Sequence, residues 1–134
     1  MIGLDTSTVP AVMRGGARLK HRLLSHRRSD VTMAQPVAAE IEYGLARHPA
    51  SRPKTELSER WLLASRELRR IEWTDAVSSA FGRIKADLER EGQPIADFDI
   101  AIAAYADAFD ATLITSNLSH FERIGGLEVE DWLG

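Results

Sequence analysis

Short apolar runs alternate with longer segments of helical period along this chain, and that alternation leaves few folds open. Met1-Ile-Gly-Leu4 reads as a strand ending at Asp5, and Val31-Thr32-Met33 as a second. Ile71-Glu72-Trp73 is a brief third, Ala111 to Thr115 the clearest, and Leu127 to Val129 the last. Between them lie helical stripes: Val37, Ile41 and Leu45 behind Pro36, then Leu57, Trp61, Ala64 and Leu68. Val77, Ala80, Phe81, Ile84 and Leu88 come after a Thr74 or Asp75 cap and stop at Gly92, and another helix runs from about Phe98 to Phe109. Thr6, Ser7 and Thr8 offer N-caps to a first helix, with Pro10 in its first turn. Gly15-Gly16 breaks or kinks that helix, and residues 49 to 54 form a polar linker. Strands joined through helices pair in parallel under helical cover, so the expected fold is α/β, a short central parallel sheet flanked by helices. At 134 residues, without repeats, a single domain over 1–134 is expected.

Such sheets bind ligands beyond the carboxyl ends of their strands. Asp5 lies at one such end, and Thr115, Ser116 and Asn117 lie at another. Helical geometry sorts the remaining acids. At 100° per residue, Glu40 falls on the edge of the apolar arc of Val37, Ile41 and Leu45, while Glu42 points away to solvent. Gly44, one turn later on the row of Glu40, leaves open space above it. Likewise Asp99 borders the arc of Ile102, Tyr105, Ala106 and Phe109, and Asp97 falls on the far side, as a cap. Each acid also has a plainer explanation: a turn for Asp5, an arginine salt bridge for Glu40, the helix dipole for Asp99.

Three carboxylates converging at a sheet edge would repel one another at neutral pH, which a cation relieves. With no cysteine and no His-x-x-x-His pair, oxygen-only ligands point to Mg2+ or Mn2+ rather than zinc. Such an ion suits phosphodiester hydrolysis, because it activates water and neutralises charge on the phosphate. The formal net charge of −3 argues against a simple basic nucleic-acid binder. Its distribution differs: Arg14, Arg18, Lys20, Arg22, Arg27 and Arg28 fall in a stretch without acids, able to meet phosphates or to form a solvated face. Absence of cysteine suits a reducing cytoplasm, and no apolar run reaches the length of a membrane span or signal-peptide core, so a cytoplasmic location is expected.

Five fragments in order then match a known family. Met1 to Ser7 (MIGLDTS), Ala39 to Leu45 (AEIEYGL), Gly92 to Ala104 (GQPIADFDIAIAA), Thr112 to Phe121 (TLITSNLSHF) and Gly126 to Trp132 (GLEVEDW) resemble the VapC toxins. These are PIN-domain endoribonucleases of toxin–antitoxin pairs. The resemblance implies a PIN fold and Mg2+-dependent cleavage of RNA, commonly tRNA. It also implies a small VapB-like antitoxin partner and a homodimer, for which the helices of residues 57 to 91 offer surface. Asp5, Glu40 and Asp99 match the family's metal-binding acids, and Ser7 and Thr115 match polar supporting positions. Asn117 stands where many members carry a fourth acid, which makes one metal the expectation; as a plain structural residue it would cap the His120-Phe121 turn. His120 is assigned no catalytic role; Trp61, Trp73 and Trp132 are expected in the core or at an interface rather than as base-stacking platforms, and Tyr43 is expected to pack.

Two other functions compete. A module that binds RNA or operator DNA without cutting would suit the negative charge and missing fourth acid. A phosphotransfer enzyme would suit an aspartate after the first strand, but Ser7 stands where dehalogenase-like phosphatases want a second aspartate, and receiver domains want a lysine where Ser116-Asn117 comes after Thr115.

Overall fold

The computed structural model describes residues 1–133. Five strands, β1 (Ile2–Leu4), β2 (Val31–Ala34), β3 (Arg69–Ile71), β4 (Thr112–Ile114) and β5 (Val129–Glu130), form one sheet. Seven helices surround it: α1 (Val9–Arg14), α2 (Ala17–Leu24), α3 (Gln35–Ala46), α4 (Arg52–Glu67), α5 (Asp75–Arg90), α6 (Asp97–Ala108) and α7 (Leu118–Phe121). The spatial order is β3-β2-β1-β4-β5, and every pairing is parallel. The chain therefore builds outward from β1 to β3 on one side and returns to the other side of β1 with β4. That reversal between β1 and β4 opens a crevice at the carboxyl end of the sheet, where α/β proteins place their ligands.

All four residues of β2 are buried, as a strand covered on both faces requires. Leu4, Met33, Leu113 and Ile114 of the sheet meet Val37, Val77, Ile84, Leu88, Ile100 and Ile102 of the helices in one core. α6 is buried without interruption from Ile100 to Ala106, so it is the central helix rather than a half-exposed one. Its small residues, Ala101, Ala103, Ala104 and Ala106, let it lie deep among neighbours.

Several local expectations shift. Thr8 is the N-cap of α1, but its hydroxyl donates to the Ile114 carbonyl at 2.9 Å instead of closing the helix end, tying α1 to β4. The linker of 49 to 54 is shorter than expected, because Ser51 caps α4 by accepting from the Lys54 amide. Asp97 is not the cap of α6 but its first residue, and it pairs with Lys85 at 3.0 Å. Glu42 is exposed as expected, yet it accepts the Trp61 indole N–H at 2.6 Å and so pins α4 to α3. Trp61 and Trp132 are buried, whereas Trp73 and Tyr43 are exposed.

The basic segment is partly occupied. Arg22 lies over the Trp132 ring at 4.7 Å, His26 stacks on the same ring at 5.5 Å, and Arg28 pairs with Glu67. These contacts fasten α2 and the turn after it to the rest of the fold. No helix among the described residues is long and apolar enough to cross a membrane.

Candidate active site

Asp5 sits one residue past β1, and its amide extends the ladder to the Ile114 carbonyl at 2.9 Å. Only 4% of its surface is exposed, so its carboxylate has given up most of its water. Hydroxyls replace that water. Oδ2 accepts from Thr115 Oγ1 at 2.7 Å and lies 3.1 Å from Ser7 Oγ. Each hydroxyl has one proton to give. Thr115 directs its proton to Asp5 and accepts the Asn117 amide at 2.9 Å. Ser7 lies 3.2 Å from Thr115 Oγ1 and accepts the Ser116 amide at 3.0 Å. This network spans the reversal between β1 and β4, so strand pairing itself fixes the orientation of Asp5.

Glu40 arrives from α3, the helix after β2. Its Oε1 accepts the Thr6 hydroxyl at 2.6 Å, not an arginine. Burial holds its pKa above the ordinary value; the Thr6 hydrogen bond pulls it back down, and the charges of Asp99 and Asp5 add to the rise. Asp99 arrives from the first turn of α6. Its pKa is also raised, by burial first and the Asp5 charge second, against the pull of His120. Glu40 and Asp99 therefore both lie within electrostatic reach of the Asp5 carboxylate across the crevice. Among the described residues, no three His, Asp or Glu side chains already stand close enough together to enclose an ion.

The remaining wall comes from α7. Asn117 is the N-cap position, but its side chain does not close the helix; Nδ2 lies 2.8 Å from His120 Nδ1. His120 Nδ1 in turn lies 3.4 Å from Asp99 Oδ2. That nitrogen can accept from the amide or donate to the carboxylate, not both at once, so the chain Asn117–His120–Asp99 has two proton arrangements. The shorter contact, to Asn117, is the stronger hydrogen bond.

Every site residue named from the sequence thus lies at this crevice: Asp5, Ser7, Thr115 and Asn117 in one bonded network, Glu40 and Asp99 on facing helices. Thr6 and His120 read from the sequence only as a cap and as packing. The one signal for His120 is its position three residues after Asn117 on a helix, where side chains share a face. A divalent cation fits the donor set. All donors are oxygens, two carboxylates are burdened by neighbouring charge, and a sparse set that leaves room for waters is what Mg2+ accepts.

The PIN domain family profile matches residues 2–127. The chain belongs to the PIN-domain family. It is 29% identical over 102 residues to ribonuclease VapC2 of Rickettsia felis, covering 76% of this chain and 74% of that protein. It is 39% identical over 62 residues to the tRNA(fMet)-specific endonuclease VapC of Shigella flexneri, a match spanning about half of each: 46% of this chain and 47% of that one. Among solved structures, VapBC2 from Rickettsia felis bound to a promoter DNA fragment superposes with a TM-score of 0.88 at 26% identity, covering 98% of this chain and 99% of that one. DNA-bound VapBC from Salmonella typhimurium gives 0.85 at 27% identity, over 98% and 99% of the two chains. Within that family, the relatives and solved structures this chain is similar to are toxins of the VapC type.

Proposed function

We propose that this protein is the ribonuclease of a toxin–antitoxin pair and hydrolyses phosphodiester bonds of tRNA or other structured RNA. Asp5, Glu40 and Asp99 hold the required metal ion, Mg2+ or Mn2+. The observation that carries this reading is Asp5: a carboxylate almost fully removed from water at the strand reversal, aimed by two hydroxyls, and faced by two carboxylates whose pKa values its charge raises. A divalent cation bound there supplies charge neutralisation at the phosphate and a more acidic water. The chain's own residues do the positioning. Ser7 and Thr115 fix the rotamer of Asp5, Thr6 holds Glu40, and the Asn117–His120 pair borders Asp99. Asn117 brings an amide where a fourth acid would bring charge, which favours a single ion.

The relatives named VapBC support an antitoxin of VapB type as the partner. Exposed Leu62 and Leu63 of α4 and Trp73 after β3 supply apolar surface for a homodimer. The test is incubation of the purified protein with total bacterial tRNA, with Mg2+ or with EDTA, beside Asp5→Asn. Discrete fragments that need Mg2+ and are absent from the variant are expected. RNA left whole in every lane by a folded, antitoxin-free protein would turn the reading toward a module that acts by occupancy.

A further inference from the structure

The row of α3 that carries Glu40 continues away from the crevice. Glu40, Tyr43, Gly44 and Arg47 are spaced i, i+3, i+4 and i+7, so they share one side of the helix. At about 1.5 Å per residue, Arg47 stands about 10 Å beyond Glu40 along the axis. Tyr43 is 67% exposed, although its sequence context predicts that it packs. The Arg47 guanidinium lies 5.8 Å from the centre of its ring. An exposed aromatic ring with a guanidinium over one face, next to a site proposed above to handle phosphates, offers its other face for an unpaired nucleobase to stack on.

Gly44 gives a second, separate observation. It lies inside a regular helix with no left-handed backbone angle, and a Cβ placed there meets nothing within 4 Å. Glycine weakens a helix relative to alanine, and neither turn geometry nor close packing accounts for it here. What it leaves is an open strip at position 44, on the side of α3 that carries Glu40 and Arg47.

We propose, resting on the ribonuclease reading above, that Tyr43, Gly44 and Arg47 form a binding site for single-stranded RNA flanking the cleaved bond. A nucleobase stacks on Tyr43 across the strip at Gly44, and Arg47 meets a backbone phosphate.

Binding is measured by fluorescence polarisation of a short labelled single-stranded RNA in EDTA, so that nothing is cut. Tyr43→Ala should raise Kd about 5- to 150-fold, the range for loss of one base–aromatic stack. Tyr43→Trp should restore affinity. Arg47→Ala should lower the slope of log Kd against log salt by about 1. Gly44→Leu, which finds room to fold, should block binding, while Gly82→Leu at an equally open position of α5 should leave it intact. Wild-type affinity in both Tyr43→Ala and Gly44→Leu would overturn the site. So would an altered sedimentation coefficient without a change in RNA affinity, which would make this face a contact between copies of the chain. If the wild type cuts RNA while Tyr43→Ala and Gly44→Leu both bind normally, only the stacking site falls. If the wild type neither binds nor cuts RNA, the ribonuclease reading falls with it.

Discussion

Glu40 and Asp99 cost the fold stability whenever they are ionised, because each carries a raised pKa. A carboxyl with a raised folded pKa favours folding fully below its unfolded value, near 4.5 for Glu40 and 3.8 for Asp99, and that contribution is lost as pH rises through the folded value. The metal-free protein should therefore lose stability from these groups as pH climbs out of the acid range. Glu40→Gln and Asp99→Asn should each melt higher than wild type in EDTA at neutral pH, and Mg2+ should raise the wild-type Tm more than that of either variant. Thermal melts in EDTA and Mg2+ across the range from acid to neutral pH check this; variants that melt lower in EDTA would refute it. Helix phase alone separates Glu40 from Glu42 and Asp99 from Asp97, because the buried arc of each helix is visible in its apolar residues. The links from Thr6 to Glu40 and from His120 to Asp99 are not legible. They join residues 34 and 21 positions apart, a distance over which local pattern says nothing.

Helix ends behave as local chemistry dictates wherever a side chain is free to cap. Thr74 accepts the Val77 amide at the start of α5, and Ser51 does the same for Lys54 at the start of α4. Thr74→Ala should destabilise the protein by about 1 kcal/mol, read as a lower denaturation midpoint at unchanged m. No change would mean that packing on α6 alone sets the end of α5. Thr8 shows the opposite outcome, a cap residue taken over by a strand carbonyl, and only the tertiary fold reveals it. α6 is legible as a helix but not as the central one. Its large apolar residues Ile102, Tyr105 and Phe109 mark one arc, but burial continues past that arc onto Ala101, Ala103 and Ala104, whose small side chains give no sign of depth. Tyr43 escapes sequence reading for a related reason: a tyrosine beside a buried stripe looks like packing until the backbone shows which way that side faces.

The exposed leucines of α4 matter for the whole molecule. Leu62 is 53% and Leu63 63% exposed, on the helix that Trp61 anchors from its other side. If they cover each other in a homodimer, Leu62→Glu combined with Leu63→Glu should sediment as a folded monomer at concentrations where wild type is a dimer. A monomeric wild type, or a dimeric variant, would exclude that face. The parallel order β3-β2-β1-β4-β5 is within reach of sequence only as a class. Which strand returns beside β1 depends on long-range pairing. That return has a consequence in time. Asp5 takes its orientation from Thr115, 110 residues later, so a chain growing at about 5–20 residues per second spends roughly 6 to 22 s with its first acid made and its partner not yet joined. Throughout that interval the emerging polypeptide has no assembled crevice, so whatever chemistry the site performs begins only once the chain is nearly complete.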